Sequence, residues 1–329
     1  MNFHPAVITW FNEAFGGPTP AQSRGWPAIA RGESTLVLAP TGSGKTLAAF
    51  LACLDRLMFA PLPERPLRCR VLYVSPLKAL AVDVERNLRA PIAGISRVAA
   101  ARGDIFVVPE VAIRTGDTPQ RDRARFVRAP ADILITTPES LYLMLASRAR
   151  EALASIDTVI VDEIHSLMPT KRGAHLAISL ERLERLTRRP LQRIGLSATV
   201  RPIEEVTQYL GGAATAAAYA PSAPPASDPA SSLHDEFADG VTNPTWRPVT
   251  VVDARRAKAL ELSVEVPVED MARVAQSTAA IPSGPASQVP SRASIWTAIH
   301  PRLLELIRAH RSTLLFVTAA GWPNASRPR

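Results

Sequence analysis

Two cysteines in 329 residues, Cys53 and Cys69, are too few for a disulfide framework or for a metal site of cysteine spacing. Both read as small buried hydrophobes. No apolar run approaches the roughly 18 residues of a membrane span. The N-terminal MNFHPAVITWF has neither the basic start nor the long apolar core of a secretory signal. These absences point to a cytoplasmic protein with no membrane partner. Lysine is also scarce, with only Lys45, Lys78, Lys171 and Lys258 against 34 arginines. Beside so much alanine and proline, that imbalance reads as coding bias from a GC-rich genome and not as phosphate recognition. Acidic residues do not dominate. A formal charge of +8 excludes an acidic solvating protein and leaves a polyanion such as nucleic acid as a partner. A solvated basic surface would give the same sum.

What is present is an alternation of short apolar runs with amphipathic segments. The runs are TLVLAP (35–40), VLYVSP (71–76), DILITTP (132–138), TVIVDE (158–163) and RIGLSAT (193–199). Helical patterns start near Lys45, Lys78, Ser140 and Gly173. Together they predict an α/β fold, a parallel sheet with helices on both faces. Chemistry in such folds collects beyond the carboxyl ends of the strands, and the conspicuous polar clusters lie there. The length suggests two domains. The pattern predicts a first domain over 1–211, then an Ala/Pro/Ser-rich stretch over 212–247 that reads as disordered linker. A second, similar stretch lies at 275–294. VTVVDA, ALELSVEVPV, a helix PRLLELIRAH and a strand TLLFV read as the start of a second α/β domain over 248–317.

Ala39-Pro40-Thr41-Gly42-Ser43-Gly44-Lys45-Thr46 follows a predicted strand and opens a predicted helix. In that setting backbone amides cradle the phosphates of a nucleotide and the helix dipole adds positive potential. Lys45 supplies a point charge and Thr46 a hydroxyl for Mg²⁺. Asp162 and Glu163 end a later apolar strand. Asp162 is the candidate Mg²⁺ ligand, and Glu163 the group that orients and polarises an attacking water. Lys45, Asp162 and Glu163 are therefore the catalytic candidates, with ATP and Mg²⁺ as cofactors.

APTGSGKT, SPLKALAVD, RTGDT, TTPESL, DEIH and SAT, in this order and spacing, resemble the motor core of superfamily 2 helicases of DEAD/DEAH type. The segments WFNEAFGGPTPAQSRGWPAI, YVSPLKAL, TTPESLYLML, VDEIHSLMPTKRG and VDARRAKALELSVEVPVED narrow the resemblance to the Lhr (large helicase-related) group. The resemblance implies a RecA-like P-loop domain followed by a second RecA-like domain, and an ATP-dependent DNA helicase that moves along a single strand in the 3'-to-5' direction. It implies that Gln22 reads the adenine edge, with Phe11 or Phe15 stacked on the base, and that Pro40 to Thr46 hold the phosphates. It also implies that His165 joins ATP chemistry to Ser197, Ala198 and Thr199, which couple hydrolysis to movement. Nucleic-acid contacts fall to Pro76, Leu77 and Lys78, to Thr115, Gly116 and Asp117, to Thr137, Pro138 and Glu139, and to Lys171 and Arg172. Single-stranded or duplex nucleic acid is the expected partner, DNA before RNA; the sequence leaves the oligomeric state open.

Two-domain motors of this kind bind ATP between their domains. Here the family pattern stops after LLFV, and VTAAGWPNASRPR is neither helical nor strand-like. With GC-rich codon choices, one restored base after Val317 turns the tail into VNSRRLAERLAA, a helical continuation. Residues 318–329 therefore read as a frameshifted tail on a truncated motor. An inert ATP- and nucleic-acid-binding remnant and an RNA-remodelling helicase are the alternatives. A transporter ATPase lacks support, since no LSGGQ-like stretch is present.

Overall fold

The computed structural model describes residues 3–198, 201–214, 245–255, 262–265 and 296–316. The first compact unit is Met1–Ala257. Its strands are β1 (Thr35–Leu38), β2 (Val71–Val74), β3 (Val111–Arg114), β4 (Ile133–Thr136), β5 (Thr158–Val161), β6 (Gln192–Ser197) and β7 (Thr250–Asp253). They form one sheet in the order β3-β4-β2-β5-β6-β1-β7, with every pairing parallel. The helices are α1 (Pro5–Ala14), α2 (Pro20–Ala30), α3 (Lys45–Phe59), α4 (Lys78–Arg102), α5 (Gln120–Arg128), α6 (Pro138–Leu145), the single turn α7 (Ile164–Leu167), α8 (Lys171–Thr187) and α9 (Ile203–Gly211).

Side chains alternate across a strand, so a strand buried on both faces must be apolar throughout. Leu36, Leu38, Leu72, Val74, Leu134, Val159 and Val161 pack on one side against α6, α8 and α9. Val37, Val71, Tyr73, Ile133, Ile135, Ile160, Ile194 and Leu196 pack on the other against α2, α3 and α4. Each large apolar side chain so buried contributes about 1.5–3 kcal/mol. That burial, more than the propensity of four-residue strands, holds the sheet. A third cluster of Phe3, Trp10, Phe11, Trp26, Leu51, Met58 and Ile95 fastens α1 over α2, α3 and α4. Both cysteines are free and buried as expected, and burial pushes the Cys53 thiol up to about 12.

At the amino ends of the strands, ion pairs tie neighbours together. Arg68 makes a bidentate pair with Asp132 at 2.9 and 3.1 Å, and Arg56 and Arg70 both pair with Asp157. The carboxyl ends are left to the loops that carry the motifs.

The apolar pattern assigns VTVVDA to a second domain beginning at 248, and the structure corrects this. Thr250–Asp253 is β7, the edge strand beside β1, with Thr35 opposite Thr250. A charge network explains the placement. Arg193, only 1% exposed, pairs with Glu184 at 2.5 Å and Glu181 at 3.0 Å and donates to the carbonyls of Leu210 and Gly211. Arg247 joins the same two glutamates at 2.8 and 3.2 Å and also reaches Gly211. The segment entering β7 is thus bound to α8, β6 and the end of α9. Period alone cannot say which sheet a four-residue apolar run will join. The pattern also overlooks β3, whose half-buried VAIR is weaker than the central strands.

The second unit is Lys258–Arg329. The helix expected at PRLLELIRAH is there as α10 (Trp296–Ala309). Of the expected strand TLLFV (313–317), residue 317 lies outside the described residues and 313–316 form no strand; a strand needs a partner to complete its ladder, and no described residue supplies one. Of the stretch at 212–247, residues 215–244 lie outside the described residues, as do 275–294 and 318–329; at its two ends Ala213 bridges Trp246. Among the described residues no helix is long and apolar enough to cross a membrane.

Candidate nucleotide site and nucleic-acid face

Residues 39–46 leave β1 and turn into α3, and the turn needs left-handed backbone at Gly42 (φ 79°) and Gly44 (φ 76°). No side chain caps α3, so its first-turn amides face the loop without a side-chain acceptor. The Ser43 hydroxyl is buried without a partner. An open helix N-terminus beside an orphaned hydroxyl fits a phosphate chain. Lys45 is buried, and its Nζ donates to the carbonyls of Ala39 at 2.5 Å and Pro40 at 2.9 Å. Burial pulls its pKa below the usual lysine range, while the Glu163 and Asp162 carboxylates act the other way. Thr46 is half-buried in the first turn of α3 and Thr41 is exposed at the loop's tip.

Gln22 is buried and welded to this loop. Its Oε1 accepts from the Thr19 amide at 2.9 Å, closing a capping box on α2, and its Nε2 donates to the Gly44 carbonyl at 3.4 Å. Thr19 Oγ1 donates to the Ser43 carbonyl at 2.8 Å. A Cβ added at Gly44 would stand 2.6 Å from Gln22 Nε2. Gly44→Ala is therefore expected to destabilise the fold by about 1–2 kcal/mol, the cost of a left-handed L-residue, and to weaken nucleotide binding; denaturant unfolding and a nucleotide titration check both.

A cavity of about 540 Å³ opens beside the loop, lined among others by Phe15, Gln22, Gly42, Gly44 and Thr46. Of the two aromatics that the sequence leaves open, Phe15 lines this cavity and is 42% exposed, whereas Phe11 sits in the core at 1%.

Asp162 follows β5 beside the P-loop. Its Oδ1 accepts from the Glu163 amide at 2.9 Å, and its Oδ2 accepts a short hydrogen bond from the Tyr73 hydroxyl on β2. Burial and the Asp162 charge push that hydroxyl's pKa well up, so it stays a donor. Tyr73 also stacks on Phe50 of α3, with ring centroids 5.2 Å apart. Sequence reasoning overlooked Tyr73; the available signal was a lone polar tip within a fully buried strand, which has to find a partner. Tyr73→Phe keeps the stacking and removes the donor. A stability loss of about 1.5–3 kcal/mol is expected for a bond to a charged group, read by chemical denaturation.

Glu163 adopts left-handed backbone (φ 46°), which is uncommon for a residue with a side chain and concentrates at functional sites. His165 Nδ1 lies 3.3 Å from Glu163 Oε2 and 3.2 Å from Ser197 Oγ. One imidazole therefore connects the second acid to the end of β6. Ala198 follows Ser197 half-buried, and Thr199 lies outside the described residues. Among the described residues, no cluster of three or more His, Cys, Asp or Glu side chains could hold a metal. A Mg²⁺ ion held by one carboxylate, a hydroxyl and substrate phosphates needs no such cluster.

The expected nucleic-acid residues converge on the carboxyl side of β2, β3 and β4. Lys78 Nζ stands 2.7 Å from both carboxylate oxygens of Asp117. Arg172 Nε lies 2.5 Å from Glu139 Oε1, and Arg172 also donates to the Pro76 carbonyl at 2.8 Å. Leu77, Gly116 and Lys171 are exposed, whereas Thr115, Thr137 and Pro138 are buried and shape their turns. Exposed ion pairs like these contribute about 0–1 kcal/mol each, so phosphates can displace them cheaply. Sequence reasoning missed Arg123, which donates to the carbonyls of Gly116 at 2.7 Å and Thr118 at 2.8 Å and fixes the Thr115–Thr118 turn.

A RecA-like parallel sheet thus carries a P-loop, a buried Asp162 followed by a half-buried Glu163, and a histidine bridge to the last central strand. The family model described as DEAD/DEAH box helicase matches residues 19–206, and the chain belongs to that family. Among its members the chain is similar to the Lhr proteins. It is 48% identical over 317 residues to the Mycolicibacterium smegmatis protein named Lhr helicase/probable uracil glycosylase, spanning 96% of this chain and 18% of that one. It is 39% identical over 315 residues to ATP-dependent helicase Lhr-Core of Methanothermobacter thermautotrophicus, 95% of this chain and 31% of the relative. The solved structure of Mycobacterium smegmatis helicase Lhr bound to ssDNA and AMP-PNP superposes with a TM-score of 0.68 at 47% identity, over 94% of this chain and 33% of that one. The chain thus spans less than a third of the length of each of these curated relatives.

Proposed function

We propose that this chain is the ATP-binding part of an Lhr-type, ATP-dependent DNA helicase motor. The observation that carries the reading is the line P-loop–Asp162–Glu163–His165–Ser197, which joins a nucleotide site to a strand end within one rigid sheet. The α3 amides, Ser43 and Lys45 hold the β- and γ-phosphates, and Phe15 and Gln22 bound the space for the base. Thr46 and Asp162 would hold Mg²⁺, which would neutralise charge on the phosphates. Glu163 orients and polarises the water that attacks the γ-phosphate. His165 passes the state of that carboxylate to Ser197 and to its neighbours Ala198 and Thr199.

Farther along the same carboxyl edge, the turns at Pro76–Lys78, Thr115–Asp117 and Thr137–Glu139, together with Lys171 and Arg172, grip a strand through its backbone. Such contacts position without reading sequence, which suits a translocating motor. The chain from Lys258 to Val317 is the beginning of the second motor domain, with 318–329 a frameshifted tail, and the work is cytoplasmic. Support for DNA over RNA comes from the Lhr structure with ssDNA. A fluorescent ATP analogue should bind in a Mg²⁺-dependent way and be displaced by ATP better than by GTP. Labelled ssDNA should bind the same chain. Binding of neither ligand would contradict the proposal.

A further inference from the structure

The motifs account for one line of contacts along the carboxyl edge of the sheet. Immediately beyond them, α5 carries charges that no contact within the fold explains. Its nine residues, QRDRARFVR, contain four arginines. Phe126 is the residue it buries, and Arg123 is spent on holding the Thr115–Thr118 turn. Arg121, Arg125 and Arg128 recur at spacings of four and three, which puts them on one face. All three are exposed, and among the described residues none of their guanidinium groups has an ion-pair or hydrogen-bond partner. The one acid of the helix, Asp122, lies off the centre of that face and, with Arg125 at the stripe's edge, lines the hollow between α4, β3 and α5 that Glu85 and Glu110 also border.

Arg125 and Arg128 in the last turn suit the negative end of the helix dipole and Asp122 suits the first turn, but two features of the stripe work against the helix. Like charges one turn apart repel. Arg121, at the second position, faces the positive end of the dipole, where an acid would be favoured. No side chain caps the start of α5. What the helix leaves uncompensated is the mutual repulsion of the three guanidinium groups, which a bound anion would relieve.

We infer that Arg121, Arg125 and Arg128 form a stripe that binds a phosphodiester backbone and extends the strand path past the Thr115–Asp117 turn. This rests on the motor reading above. α5 begins three residues after Asp117, so a backbone seated on that turn continues over the stripe. Guanidinium groups with no internal partner bind phosphates with full charge and release counterions. Lys78 and Arg172, by contrast, must first give up Asp117 and Glu139.

The test is the triple variant R121Q/R125Q/R128Q, in which glutamine keeps the helix propensity, compared with the unaltered chain after equal melting temperatures are verified. Binding is measured by anisotropy against salt on an oligothymidylate strand and on a duplex with a single-stranded tail. For three lost phosphate contacts, the slope of log K against log salt should fall by about 2 on the single strand or by about 2.7 where duplex is gripped. A fall on the tailed probe alone assigns the stripe to duplex; a fall on both assigns it to the single strand. Unchanged slopes on both probes, with the unaltered chain binding them, overturn the stripe and leave the motor reading standing. Failure of the unaltered chain to bind either probe overturns both.

Discussion

Glu163→Gln should leave nucleotide binding intact and cut ATP turnover by about 10²–10⁴-fold, the range set by losing a positioned general base. The substitution is isosteric, so the left-handed backbone at φ 46° and the Glu163 amide's bond to Asp162 Oδ1 are retained. What goes is the negative charge proposed to polarise the attacking water. His165 Nδ1, 3.3 Å from Oε2, loses an anionic neighbour and keeps Ser197 at 3.2 Å. Nucleic-acid affinity should change little, because the turns proposed to grip a strand follow β2, β3 and β4. Single-turnover hydrolysis and an ATP-analogue titration separate the two effects. Weakened binding with unchanged turnover would assign Glu163 a different task.

Lys45→Ala should be equally severe on turnover, by about 10²–10³-fold, as for removing one preorganised donor from a transition-state site. Here binding should fall as well, since the proposed role has the ammonium meet the phosphates in ground state and transition state alike. The side chain is buried and its Nζ bonds the Ala39 and Pro40 carbonyls, so its loss also slackens the loop. The contrast between the two variants is diagnostic: Glu163→Gln separates binding from chemistry, and Lys45→Ala does not.

The central strands were legible because burial on both faces forces unbroken apolar runs; TLVL, VLYV, ILIT and TVIV could hardly be anything else. The P-loop and the acid pair were legible because their chemistry fixes residue type and spacing together. Edges were not. VAIR at β3 is half-buried, and VTVV at β7 gives no hint of which sheet it joins until Arg247 and Arg193 are seen gripping the same glutamates. Supporting residues were equally hidden. Tyr73 and Arg123 act through Asp162 and a turn, and nothing in their local sequence names those partners. Gln22 was found by its motif, yet its bond to the Gly44 carbonyl is a tertiary fact.

The most direct test of the central claim is steady-state ATP turnover by the 329-residue chain with and without single-stranded DNA, beside the same reaction with RNA. A motor core whose nucleotide line ends at Ser197 predicts turnover that rises when DNA is added and rises less with RNA. Nucleotide binding with turnover indifferent to any nucleic acid would contradict the coupling, and with it the reading of this chain as the ATP-binding part of a helicase motor.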